Sequence, residues 1–100
     1  MDTYVLTAQE VALLYQAASM AGDRLARHEN DTGVRVMETL LTHLESKPSR
    51  VQLTSVQREV LAKMLMNIGY DLLRENEDER ADVAEALAER LCEDGEGETE

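Results

Sequence analysis

One stretch of 39 residues occurs twice in this chain, and that repetition limits the fold more than any other feature. Residues 6–44 align with residues 53–91 without a gap, at a constant offset of 47 positions. Both copies contain two segments of helical character separated by a polar turn, so the repeat predicts a duplicated helix–loop–helix unit. Eleven of the 39 aligned pairs are identical: Leu6/Leu53, Thr7/Thr54, Leu14/Leu61, Gly22/Gly69, Leu25/Leu72, Arg27/Arg74, Asp31/Asp78, Val36/Val83, Glu38/Glu85, Leu40/Leu87 and Leu44/Leu91.

Each copy opens with the same helix-start signal. Thr7 and Thr54 are followed three residues later by Glu10 and Gln57, side chains that can complete a capping box. Apolar residues then recur at helical spacing in both copies, which predicts one helix after each threonine. The residues immediately before each cap can be briefly extended.

The repeat predicts an all-α fold in which four helices form two duplicated helix–loop–helix hairpins, packed as a compact bundle with pseudo-two-fold symmetry. We expect a single helical domain over residues 1–92. The first repeat covers about 6–45, the linker covers 46–52, and the second repeat covers about 53–92. Pro48 places the linker because proline cannot continue a helix.

The remaining residues, 93–100, contain no apolar side chain and two glycines. Such a segment has nothing to bury against a core, so we expect it to be a disordered acidic tail.

A glycine stands inside the first and third predicted helices at equivalent positions, Gly22 and Gly69. Glycine in a helix interior costs about 1 kcal/mol relative to alanine. We expect that the first and third helices approach each other closely there. The alternative is that each glycine only loosens the end of its helix.

Cysteine content and hydropathy limit the compartment. Cys92 is the only cysteine, which excludes an intramolecular disulfide and suits a reducing compartment. No apolar run approaches the roughly 18–20 residues that span a bilayer. We therefore expect a cytoplasmic protein that does not associate with membranes.

Charge is distributed unevenly along the chain. The net charge is −11, yet residues 1–70 hold eight acids and seven bases, whereas residues 71–100 hold thirteen acids and three bases. Such a surface repels nucleic acid and anionic lipid. We therefore expect a protein partner with a basic surface and no direct binding of nucleic acid.

Acidic residues form a row along the fourth predicted helix. At 100° per residue they fall within about an 80° arc, over roughly 22 Å of helix. We predict that this row, with the neighbouring Glu79, binds the partner. The alternative is a solvated face that keeps the chain soluble. The acidic row consists of Asp78, Asp82, Glu85, Glu89 and Glu93.

No pattern indicates catalysis, a cofactor or a metal. The acids lack the spacing and the glycine of a calcium loop, and no Glu-x-x-His pair of a di-iron bundle is present. His28 and His43 have no catalytic context, and Cys92 stands beside an acidic segment that disfavours a thiolate. We therefore expect a protein that is not an enzyme and needs no cofactor.

The segments DVAEALAERL (82–91) and EDGEGETE (93–100) give the chain an acidic, helical C-terminal part. In size, helical content and this charge, the chain resembles small phage-encoded inhibitors of the anti-CRISPR type. The resemblance implies an inhibitor that binds a nucleic-acid-binding effector complex and blocks its basic surface. It implies no particular fold, because such inhibitors differ widely.

A second functional hypothesis stays open. The apolar faces of the first and third predicted helices are wider than one neighbour requires. They suit a helical adaptor or a homodimerisation module that uses an apolar groove, with Leu13, Met20 and Met66 as exposed anchors. The sequence is compatible with a monomer or a homodimer.

Overall fold

The computed structural model describes the backbone of residues 2–46 and 48–98 and the side chains of residues 3–46 and 48–92. Four helices and two short strands make up the described part of the chain, so the predicted all-α class is confirmed. In chain order the elements are β1 (Asp2–Val5), α1 (Ala8–Arg27), α2 (Asp31–Glu45), β2 (Arg50–Leu53), α3 (Ser55–Arg74) and α4 (Asp78–Glu98).

The helices of the two halves occupy equivalent positions in the repeat. α3 lies 47 residues after α1 at both ends, and α4 begins 47 residues after α2. Both interhelical turns contain a residue with positive φ, Glu29 at 55° and Asn76 at 64°, and these two residues are also 47 positions apart. This agreement supports the internal repeat, while the pseudo-two-fold symmetry stays a prediction.

Both capping boxes are present, as predicted. The Thr7 hydroxyl accepts a hydrogen bond from the Glu10 amide at 3.2 Å, and the Glu10 carboxylate accepts one from the Thr7 amide at 2.8 Å. Thr54 and Gln57 make the same two bonds at the same distances. These bonds satisfy amide groups that a helix leaves without partners at its first turn.

β1 and β2 form an antiparallel ladder in which Tyr4 lies opposite Val51. The two residues hold equivalent positions in the repeats, and both are buried. The Leu6 amide donates to the Ser49 carbonyl at 2.9 Å, one step beyond the ladder. The predicted extended segments are therefore confirmed, and their pairing joins the start of the chain to the linker between the hairpins.

The core is aliphatic and lies where α1 packs against α3 and each hairpin closes on itself. Tyr4 is the aromatic member of the core. On α4 the buried face is built largely from alanines, which allows close packing against α3. The other large side chains that are almost completely buried are Leu13, Leu14, Leu44, Val51, Leu53, Leu61, Leu65, Ile68, Leu87 and Leu91.

The helical glycines lie at contacts other than the expected one. A Cβ atom on Gly22 would lie 3.7 Å from Met37 Cβ on α2, and one on Gly69 would lie 3.2 Å from Glu85 Cγ on α4. The prediction that they bring the first and third helices together is wrong. The short turns hold the two helices of one hairpin side by side, and Gly69 leaves space for the close contact between α3 and α4.

α4 is longer than its counterpart in the first repeat. Its backbone stays helical through Glu98, six residues past the position equivalent to the end of α2. The backbone of residues 93–98 is described as helical, and a disordered acidic tail over residues 93–100 stays a prediction. The first repeat meets Pro48 after its second helix, whereas the equivalent position holds Gly95, which permits helix. Residues 99 and 100 lie outside the described residues.

Candidate functional site

The acidic row lies on the outer side of α4. Asp78, Asp82 and Glu89 are exposed, as is the neighbouring Glu79, and Glu85 is half-buried. The side chain of Glu93, the sixth predicted site residue, lies outside the described residues. The described part of the predicted site is therefore accessible to a partner along about three turns of helix.

The opposite face of α4 explains why the acids point outward. The small and branched side chains of that face are buried, and they recur at helical spacing. Their burial against α3 fixes the rotation of the helix about its axis and leaves the acidic row on the solvent side. These buried residues are Ala81, Ala84, Leu87, Ala88 and Leu91.

Glu85 marks the edge of the row, where α4 meets α3. A Cβ atom on Gly69 would lie only 3.2 Å from the Cγ atom of Glu85 and 3.8 Å from its Oε1 atom. The Glu85 stem can occupy this place because Gly69 carries no side chain. Glu85 therefore places one edge of the acidic row at the seam between α3 and α4, and the rest of the row lies outward from that seam.

The chain does not neutralise this row within its described part. The ion pairs among the described side chains join Lys63 to Glu59, Arg74 to Asp71, and Arg90 to Glu10. None of them includes a residue of the acidic row. The charges of its described members, Asp78, Asp82, Glu85 and Glu89, are therefore available to cations from another molecule.

Arg90 stands on α4 but is engaged by another part of the molecule. Its Nη2 atom donates to the Val5 carbonyl at 2.9 Å, and its Nη1 atom lies 3.6 Å from Glu10 Oε2. Its guanidinium carbon lies 5.7 Å from the centre of the Tyr4 ring, within cation–π range. The internal repeat does not predict these contacts, because the equivalent position of the first repeat is His43.

The apolar anchors proposed for an adaptor are largely used by the core. Leu13 is only 2% exposed, so its prediction as an exposed anchor is wrong, and Met20 and Met66 are partly buried against the core. The apolar face of α1 is wide because it contacts α2, α3 and α4.

An apolar groove is nevertheless present, between α1, the end of α2 and the following linker, with a volume of about 530 Å³. At its rim the Tyr15 hydroxyl donates to Glu45 Oε1 at 3.3 Å. The lining is otherwise mostly aliphatic and includes Leu6, Val11, Leu44 and Pro48. The groove can therefore accept an apolar group.

Within the described residues, no three His, Cys, Asp or Glu side chains come together in a way that could hold a metal ion. None of the described helices is both long and apolar enough to cross a membrane. No protein-family model, curated protein or solved structure matches this chain, so the acidic face of α4 and the groove beside α1 are the features from which a function can be argued.

Proposed function

We propose that this protein is a small acidic protein-binding module that acts in the cytoplasm as an inhibitor. It docks the acidic row of α4 on a basic, nucleic-acid-binding surface of a larger complex, as the resemblance to anti-CRISPR inhibitors implies. The observation that carries the proposal is the exposure of Asp78, Asp82 and Glu89 on one face, with no cation of the described chain paired to them.

The free chain holds this row at an energetic cost. Carboxylates three and four residues apart on a helix repel each other by a few tenths of a kcal/mol per pair. A row of this length therefore costs about 1–2 kcal/mol at low salt. A basic partner removes that repulsion on binding and is drawn toward the row over a distance of about 8 Å at physiological salt. The equivalent positions of α2 hold mixed residues, so the second hairpin alone has this property.

The proposal is tested by affinity capture with a charge-reversed variant. Immobilised wild-type protein is incubated with lysate of its source cells, and the bound proteins are identified. We expect a nucleic-acid-binding protein that is released by added duplex nucleic acid or by about 0.5 M salt, where the screening length falls to a few ångströms. The variant Asp82→Lys/Glu89→Lys should capture little or none of it.

The control variant Asp23→Lys/Glu38→Lys changes the net charge by the same amount at exposed positions of the first hairpin. It should capture as much as the wild type. Equal capture by both variants, or a bound protein that duplex nucleic acid does not release, would contradict the proposal.

The groove beside α1 supports a second candidate, a helical adaptor that accepts an apolar side chain of its partner. Ala12 is exposed and lines this groove, so Ala12→Trp would fill it without replacing a core residue. If the groove binds the partner, this variant loses the captured protein while Asp82→Lys/Glu89→Lys retains it. The opposite pattern favours the acidic row.

A further inference from the structure

A row of apolar side chains stands on the outer face of α3. Met66, Tyr70 and Leu73 are spaced four and three residues apart, which places them on one side of the helix. Tyr70 is 51% exposed and Leu73 is 44% exposed, while Met66 is partly buried against the core. We call these three residues the apolar row.

The apolar row and the acidic row flank the same seam. Gly69 faces Glu85 on α4, and the apolar row lies about 40–100° further round α3, on the side away from the core. On α4 the other described members of the acidic row, Asp78, Asp82 and Glu89, likewise follow Glu85 on the side away from the buried alanines. Both rows therefore lie on the outer surface of the second hairpin, next to each other.

The first hairpin lacks this combination. The α1 positions equivalent to the apolar row hold Ser19, Asp23 and Ala26. The α2 positions equivalent to the acidic row include Arg35 and Thr42. Since α1 and α3 share both boundaries and α2 and α4 begin at equivalent residues, the fold does not require large apolar side chains at these places. The pairing of an apolar row with an acidic row is a property of the second hairpin.

We infer that the outer face of the α3–α4 hairpin binds a basic amphipathic helix of the partner. Apolar side chains of that helix cover Tyr70, Leu73 and the exposed part of Met66, while its Lys and Arg side chains lie along the acidic row. The apolar row spans about 10 Å, which matches about two turns of helix. The inference rests on the proposed function and specifies what part of the partner is recognised.

Charge selects this occupant over a second copy of the chain. A dimer formed through the same face would bring two acidic rows together, and like charges across an interface oppose association. An anionic lipid surface is disfavoured for the same reason. A helix that carries apolar side chains with Lys and Arg beside them can contact both the apolar row and the acidic row.

Two synthetic peptides of about 18 residues, five turns of helix, serve as probes. One carries Leu on one face and Lys on the other; the second carries Ser in place of every Leu and has the same charge. Affinities are measured by calorimetry for the wild type and for Tyr70→Ser/Leu73→Ser. Val36→Ser/Val56→Ser is the matched control, because it removes two exposed apolar side chains from other parts of the surface.

We expect the wild type and the control variant to bind the Leu/Lys peptide at least about tenfold more tightly than the Ser/Lys peptide. Tyr70→Ser/Leu73→Ser should lose that preference and keep its affinity for the Ser/Lys peptide. A preference that survives in this variant, or that is lost equally in the control, overturns the inference.

The charge-reversed variant Asp82→Lys/Glu89→Lys separates this inference from the proposed function. It should bind both peptides more weakly than the wild type. If the wild type binds both peptides equally and charge reversal weakens both, the apolar contact is refuted and the acidic docking face is retained. If the wild type binds neither peptide, or if charge reversal changes nothing, both ideas fail.

Discussion

Single residues decide how closely the helices of each hairpin approach. Gly22 and Gly69 are equivalent in the repeat, but their surroundings differ. A Cβ atom on Gly22 would meet Met37 at an ordinary contact distance of 3.7 Å, whereas one on Gly69 would meet Glu85 at 3.2 Å. Gly69 therefore has a packing role that Gly22 does not share. Because it carries no side chain, Glu85 of the acidic row can lie against α3.

The surroundings of the two glycines predict the effect on stability of a small substitution at Gly22 and of a large one at Gly69. Gly22→Ala should raise the free energy of unfolding by about 0.5–1 kcal/mol, because alanine favours helix and fits the available space. Gly69→Leu should lower it by about 1–3 kcal/mol, because the larger side chain must push α4 away from α3. Urea denaturation followed by circular dichroism measures both changes. A Gly69→Leu variant as stable as the wild type would show that this contact is not tight.

Among the helices, α1 and α3 start with the same capping box but with unequal further contacts. Glu10 uses one carboxylate oxygen for the Thr7 amide and places the other 3.6 Å from Arg90 Nη1. Gln57 carries no charge for such a pair. The Glu10–Arg90 ion pair thus joins the start of α1 to α4 of the other hairpin. Gln57, at the start of α3, cannot form an equivalent ion pair with α2.

Replacing Glu10 or Gln57, the third helical residue of each capping box, should therefore lower the free energy of unfolding by unequal amounts. Gln57→Ala should lower the free energy of unfolding by about 0.5–1 kcal/mol through the lost cap. Glu10→Ala should cost roughly 0.5 kcal/mol more at low salt, because it also removes a partly exposed ion pair.

Urea denaturation of Glu10→Ala, Arg90→Ala and the double variant measures the coupling between the two side chains. The coupling should shrink as salt is added. A double variant whose loss equals the sum of the two single losses would mean that the ion pair contributes nothing.

In the whole molecule, the excess negative charge lies mainly in residues 71–100, which hold thirteen acids and three bases. Residues 1–70 are almost neutral, since they hold eight acids and seven bases. Self-repulsion in the second hairpin therefore opposes folding of the free protein more than net charge spread over the whole surface would. The described ion pairs relieve it little, because none of them includes a residue of the acidic row.

Salt should accordingly stabilise this protein. Raising NaCl from about 20 mM to about 0.5 M shortens the screening length and should increase the free energy of unfolding by about 1 kcal/mol. Asp82→Lys/Glu89→Lys should be more stable than the wild type at low salt and should gain less from added salt. Urea denaturation at both concentrations tests this, with Asp23→Lys/Glu38→Lys as the control. An equal gain in all three proteins would place the repulsion elsewhere.

The features that the sequence predicts correctly depend on residues close together in the chain. The caps at Thr7 and Thr54 need only a side chain three positions later, and the exposure of the acidic row follows from helical periodicity. The contacts of Gly69 and Arg90 depend on how separate elements pack, and periodicity carries no information on that.

The same limit explains the misplacement of Leu13. Its position in a wide apolar stripe fits either a free face or one with several neighbours, and the structure shows the second.

The meeting of Tyr4 and Val51 at equivalent places in the ladder has a consequence for any attempt to rebuild this protein from one repeat. A chimera with two copies of the first half would set a second tyrosine against Tyr4 and crowd the centre with two rings. A chimera with two copies of the second half would set valine against valine and leave a void there. We expect that neither identical pair fills the space that Tyr4 and Val51 fill together, so that the two halves are not interchangeable where they touch.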